Sequence, residues 1–111
     1  MGNPATDDLD GINRVQKYAD GTLVRVFVMR TTRDGYPSGW AYKLHYGATR
    51  PTAETLNDGT IRRYDNSHED TKGHELHVAP DPEPEIIDFP GMVPLWERFW
   101  SEIPKDQFDL E

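Results

Sequence analysis

The run Thr22 to Arg30, TLVRVFVMR, constrains this chain more than any other stretch. Valine and phenylalanine at this density pack well on a pleated surface, whereas in a helix they lose side-chain freedom against the preceding turn. Nine residues after the Asp20-Gly21 turn signal therefore read as a strand, and the apolar content places it centrally in a sheet. A central strand needs neighbours. Ile12 to Ala19 alternates more loosely and pairs with it as a hairpin across Asp20-Gly21, a dipeptide suited to a type I′ turn. Beyond the turn-rich Arg33 to Gly39, residues Trp40, Tyr42, Leu44 and Tyr46 fall on one face of a strand. Ala41, Lys43 and His45 fall on the other, which reads as solvated. Thr60 to Tyr64, after the Asn57-Asp58-Gly59 turn, and Glu75 to Val78 are two further strands, with a segment between them too polar for a core.

Pro80, Pro82 and Pro84 alternate with acids, which predicts an extended spacer in which Glu83, Glu85 and Asp88 are solvated charge. Next, Leu95, Trp96, Phe99, Trp100 and Ile103 form one helical stripe, entered through Pro90 and Pro94 and stopped before Pro104. So short a helix needs a partner surface, and the aromatic face of the Trp40 to Tyr46 strand is the natural one. Trp96 and Trp100 thus read as core rather than as a stacking platform. The expected fold is α+β: a small antiparallel β-sheet of four to five strands with a C-terminal helix packed on its aromatic face. A chain of 111 residues supports one core. The expected division is a polar acidic tail at 1–10, a single domain at 11–104, and an acidic C-terminal tail at 105–111.

Absent cysteines exclude disulfides, thiolate catalysis and cysteine-ligated zinc. No segment has the apolar length to span a bilayer and the first ten residues lack a signal pattern, so the expected compartment is the cytoplasm with no membrane partner. The net charge of −8 argues against a nucleic-acid coat, and the many acids with only four lysines suit a high-salt cytoplasm. Charge is unevenly spread. Residues 11–78 hold ten bases against eight acids, while the acid excess lies at the two ends, so the centre can still meet an anion.

Residues 61–78, IRRYDNSHEDTKGHELHV, gather three of the four histidines, two adjacent arginines and an Asp-Asn pair. Three readings are open. Arg62 or Arg63 can clamp a phosphate while His68, His74 or His77 moves a proton, the kit of a metal-free ribonuclease. His74 and His77, with His68 or Asp65, can hold a divalent metal, but on a strand positions 74 and 77 point to opposite faces. The plainest reading, which spacing alone favours, is a hairpin capped by Asp65 and Asn66 with ordinary half-exposed histidines. Arg62 and Arg63 also point opposite ways, so only one of them can face a site.

The order of elements carries one more signal. A strand-rich first half, then Arg63, Tyr64, Asp65, Asn66, Ser67 and His68, a short polar loop, His74, His77 and Val78, and a proline-containing linker before a helix resembles the TumE-like family of toxin-antitoxin proteins. The resemblance spans about residues 20–104, and only 62–78 is specific. It departs in a short acidic loop, Glu69 and Asp70, and in lacking the family's proline and extra histidines there. The resemblance implies a toxin whose partner is a small DNA-binding antitoxin, and its matching positions are Arg63, Asp65, Asn66, His68, His74 and His77. Joined to the phosphate-clamp reading, the expectation is an RNA substrate, with Arg63, Asp65, His68, His74 and His77 catalytic, Arg62, Tyr64 and Asn66 substrate-binding, and no metal or cofactor. The alternative is a non-catalytic protein-binding module.

Overall fold

A computed structural model describes residues 5–109. Its elements are α1 (Thr6–Leu9), β1 (Ile12–Lys17), β2 (Thr22–Arg30), β3 (Trp40–Ala48), β4 (Thr60–Asp65), α2 (Glu69–Lys72), β5 (His74–Val78), β6 (Glu85–Ile87) and α3 (Met92–Glu102). The strands form one antiparallel sheet in sequential order, β1-β2-β3-β4-β5-β6. The expected four to five strands become six. The added strand, β6, follows the last proline of the segment read as a spacer and pairs with β5 at an edge, where the prolines before it remove no ladder bond.

The first hairpin closes differently from the expected type I′ turn. That type needs positive φ at both central residues. Here Gly21 alone has positive φ, its N–H donates to Tyr18 O, and Tyr18 N–H donates to Thr22 O, giving a four-residue connection. The Asp20 carboxylate accepts from Thr22 N and Oγ1 at 3.0 and 2.6 Å. Leu56 to Thr60 repeats the device, with Gly59 at positive φ and Asp58 accepting from Thr60 N at 3.0 Å.

Register sets the two faces apart. Val24, Val26 and Val28 lie opposite Tyr46, Leu44 and Tyr42, and Leu44 opposes Tyr64, which opposes Leu76. This row is covered by Met92, Leu95, Trp96, Phe99 and Trp100 of α3. The expected helix is present, and its stripe is buried on the aromatic face of β3. Pro94 sits in its first turn, where a missing N–H breaks no helical bond. Leu9 and Phe108, from the segments expected to be tails, are also buried in this core. Lys105 Nζ meets Asp20 Oδ2 at 2.6 Å, which fastens the chain end to the first hairpin. No helix among the described residues is long and apolar enough to cross a membrane.

Candidate functional site on the open face

Alternation sends every second strand residue to the face that α3 leaves uncovered. Across that face Arg25, His45, Arg63 and His77 stand in register on β2, β3, β4 and β5. The next row holds Lys43, Asp65 and Glu75. Paired Cα atoms in such ladders are roughly 4.5–5.5 Å apart, so His45 and His77 flank Arg63 at one strand's distance on either side.

Arg63 is held from two sides. Its Nε donates to Asp65 Oδ2 at 3.0 Å, and its Nη1 donates to Asp58 Oδ2 at 2.8 Å and Thr60 Oγ1 at 3.2 Å. Nη2 carries none of these bonds. Burial would raise the Asp58 pKa, but hydrogen bonds from Thr60 and Arg63 outweigh it and hold the carboxyl well below its usual range. Burial, reinforced by the Arg63 charge, pushes His45 down to about 4, so its imidazole is neutral at pH 7. The His45 ring lies against Gly47, where a Cβ would stand 2.7 Å from His45 Nε2 and from Gly59 O. Only glycine leaves room there.

His77 Nε2 is buried, 3.3 Å from Asp65 Oδ2 and 3.9 Å from Glu75 Oε1, in contacts that lack hydrogen-bond geometry. Arg63 and His77 form part of a cleft of about 470 Å³ bounded by Thr55 to Asp58 on one side and by Pro80 and Pro82 on the other. The proline segment is therefore a wall of the cleft as well as a connection. A guanidinium and an imidazole lining one cleft, both against one buried carboxylate, suit phosphate binding beside a proton-transfer group.

The remaining expected site residues lie elsewhere. Arg62 points to the helix side, with Nε 3.7 Å from Glu102 Oε1. Tyr64 donates to the same oxygen at 2.5 Å, and burial followed by the Glu102 contact raises its pKa. His74 stacks against Phe89 at 4.5 Å and lies 2.7 Å from the Tyr42 hydroxyl through Nδ1, and desolvation lowers its pKa. Asn66, 0% exposed, accepts from Tyr42 N and donates to Trp40 O and Glu69 Oε1. The Glu69 carboxylate, part of the loop read as merely acidic, also accepts from Ser38 N and Oγ at 2.6 Å each. These polar groups are buried because each is bonded, which overturns the expectation that 65–73 lies wholly outside the core. His68 is exposed at the start of α2.

Of the eight expected residues, the structure thus brings Arg63, Asp65 and His77 together. Sequence reasoning passed over Lys43 and His45, taken as a solvated strand face, and Glu75. The available signal was parity: residues 43 and 45, 63 and 65, 75 and 77 are three alternating pairs on adjacent strands. Asp65, Glu75 and His77 are also the residues able to hold a metal together, since one ligand atom from each falls within 4.8 Å of the others.

No curated protein and no solved structure gives a significant match to the chain. The family model described as Toxin TumE matches residues 6–107, nearly the whole chain, and the arginine, aspartate and histidine on the open face lie within that match. The chain belongs to the toxin TumE family.

Proposed function

We propose that this chain is the toxin component of a toxin-antitoxin pair and acts on RNA through the open face of its sheet. One observation carries the reading: Arg63 and His77 line the same cleft, Arg63 bonded to the buried Asp65 carboxylate and His77 Nε2 3.3 Å from it. Arg63 holds a phosphate oxygen, with Nη2 outside its internal bonds, and His77, whose Nε2 lies 3.3 Å from Asp65 Oδ2, moves a proton at the scissile phosphodiester. Support comes from the family, from the clustering, and from the basic excess in the middle of the chain. The partner is a small antitoxin that binds DNA.

Induced expression followed by mapping of RNA ends tests this. Growth arrest with new RNA ends, both lost in Arg63→Ala and His77→Ala, is expected. Arrest with intact RNA would overturn the RNA reading. A second reading, a non-catalytic binding module, is favoured by Val15 and Met29, 49% and 43% exposed on the same face at the β1–β2 side. Under that reading the His77 variant keeps full partner binding and full effect on growth.

A further inference from the structure

His74 and His77 cannot share an ion, because the sheet separates them. The same alternation assembles a different set. Glu75 and His77 share the open face of β5, and Asp65 stands directly across from Glu75 on β4. His77 Nε2 lies 3.3 Å from Asp65 Oδ2 and 3.9 Å from Glu75 Oε1. Ligands about 2.0–2.2 Å from one ion are separated by roughly 3.0–3.5 Å, so a small rotation of the Glu75 side chain closes the set.

Two observations beyond spacing point to a cation. Both carboxylates are buried, Asp65 at 4% and Glu75 at 8% exposure, and they oppose each other across two strands. Like charges so placed are unfavourable unless a positive charge is shared between them. Arg63 divides itself between Asp65 and Asp58, and among the described residues the one ion-pair contact of Glu75 is His77. The second observation is the imidazole nitrogen itself. His77 Nε2 is buried, makes no hydrogen bond among the described residues, and is the His77 atom nearest both carboxylates. A ring nitrogen so placed, with no hydrogen bond of its own, can give its lone pair to a metal ion.

We infer that Asp65, Glu75 and His77 bind one divalent first-row cation beside Arg63. Two carboxylates with one imidazole suit Mn²⁺ or Zn²⁺, and three protein ligands leave coordination positions open. Asp65 can serve Arg63 and the ion together, because a carboxylate has about four lone-pair sites. The ion would change the face electrostatically. Asp58, Asp65 and Glu75 balance Arg25, Lys43 and Arg63 on this face, and a divalent ion gives it the net positive charge that attracts a phosphodiester. Use of the ion on RNA rests on the function proposed above, with His77 then serving as a ligand in place of carrying the proton; binding of the ion does not rest on it.

The test is titration of the chelator-stripped full chain with Mn²⁺, following free Mn²⁺ by electron paramagnetic resonance. One ion per chain is expected, bound roughly tenfold or more weakly by Glu75→Gln and Asp65→Asn, with His68→Gln matching wild type. A second readout needs no variant: Mn²⁺ should broaden the ring resonances of His77 before those of His68 and His74. Absence of saturable binding, equal affinity in Glu75→Gln, or broadening at His68 first would each overturn the inference. Such a failure leaves the RNA reading standing, and intact RNA during growth arrest would overturn that reading while leaving the cation site untouched.

Discussion

The two faces of this sheet come from the same six strands and meet opposite demands. The helix face presents Val24, Val26, Tyr42, Leu44, Tyr64 and Leu76 to α3 and excludes water. The open face carries Lys43, His45, Arg63, Asp65, Glu75 and His77, of which Arg63 and His77 line a cleft. Chain neighbours are split between the two. Arg62 braces Glu102 on the helix, while Arg63 ties Asp58 and Asp65. His74 is stacked among aromatic rings, whereas His77 lies against carboxylates. A motif that is contiguous in the chain is therefore two structures. One holds α3 and the 33–39 turn to the sheet, and the other is free to meet a ligand.

The largest expected effect falls on the covered face. Trp96→Ala removes a fully buried ring and should cost about 3–5 kcal/mol in denaturant unfolding, whereas Lys43→Ala on the open face should stay within about 0.5 kcal/mol. Equal losses would erase the distinction between the faces. Asn66→Ala comes next, because it leaves the buried Tyr42 N–H without its acceptor and removes a donor from Trp40 O and Glu69, and should cost about 1–3 kcal/mol. If its unfolding midpoint matches wild type, the polar hub around Glu69 does not hold the loop.

A smaller effect depends on pH. His45 is held at about 4 in the folded chain, below its ordinary 6.5. Above pH 6.5 both states are neutral and the group contributes no slope. As pH falls from 6.5 towards 4 the unfolded chain takes the proton first, so stability drops across that window. His45→Gln should flatten the fall by about 1–2 kcal/mol at pH 4, allowing for solvent screening. Parallel pH profiles for the two proteins would mean that the ring is not buried against Gly47 and Arg63.

Much of the covered face was legible in the sequence, because burial writes itself as period. Alternation at 22–30 and 40–46 and the stripe at 95–103 each matched a single kind of element. Strand β6 was hidden, since Ile86-Ile87 has no alternation and stands among prolines. Buried Asn66 was hidden for another reason: its partners Tyr42 and Trp40 are 24 and 26 positions away. The open face was half legible. Parity showed that only one of Arg62 and Arg63 could face a site, but choosing Arg63 required the register that sets it between His45 and His77. Glu75 gained meaning only when Asp65 was placed opposite it.

The histidines of β5 give the most direct test of the division, since they are three residues apart and stand on different faces. Induced growth arrest and thermal unfolding should be measured together for His74→Gln and His77→Gln. The expected result is a crossed pair: His77→Gln melts close to wild type and no longer arrests growth, while His74→Gln melts lower and still arrests growth at a temperature where it remains folded. Growth arrest by a folded His77→Gln protein, equal to that of wild type, would contradict the assignment of the open face as the working surface.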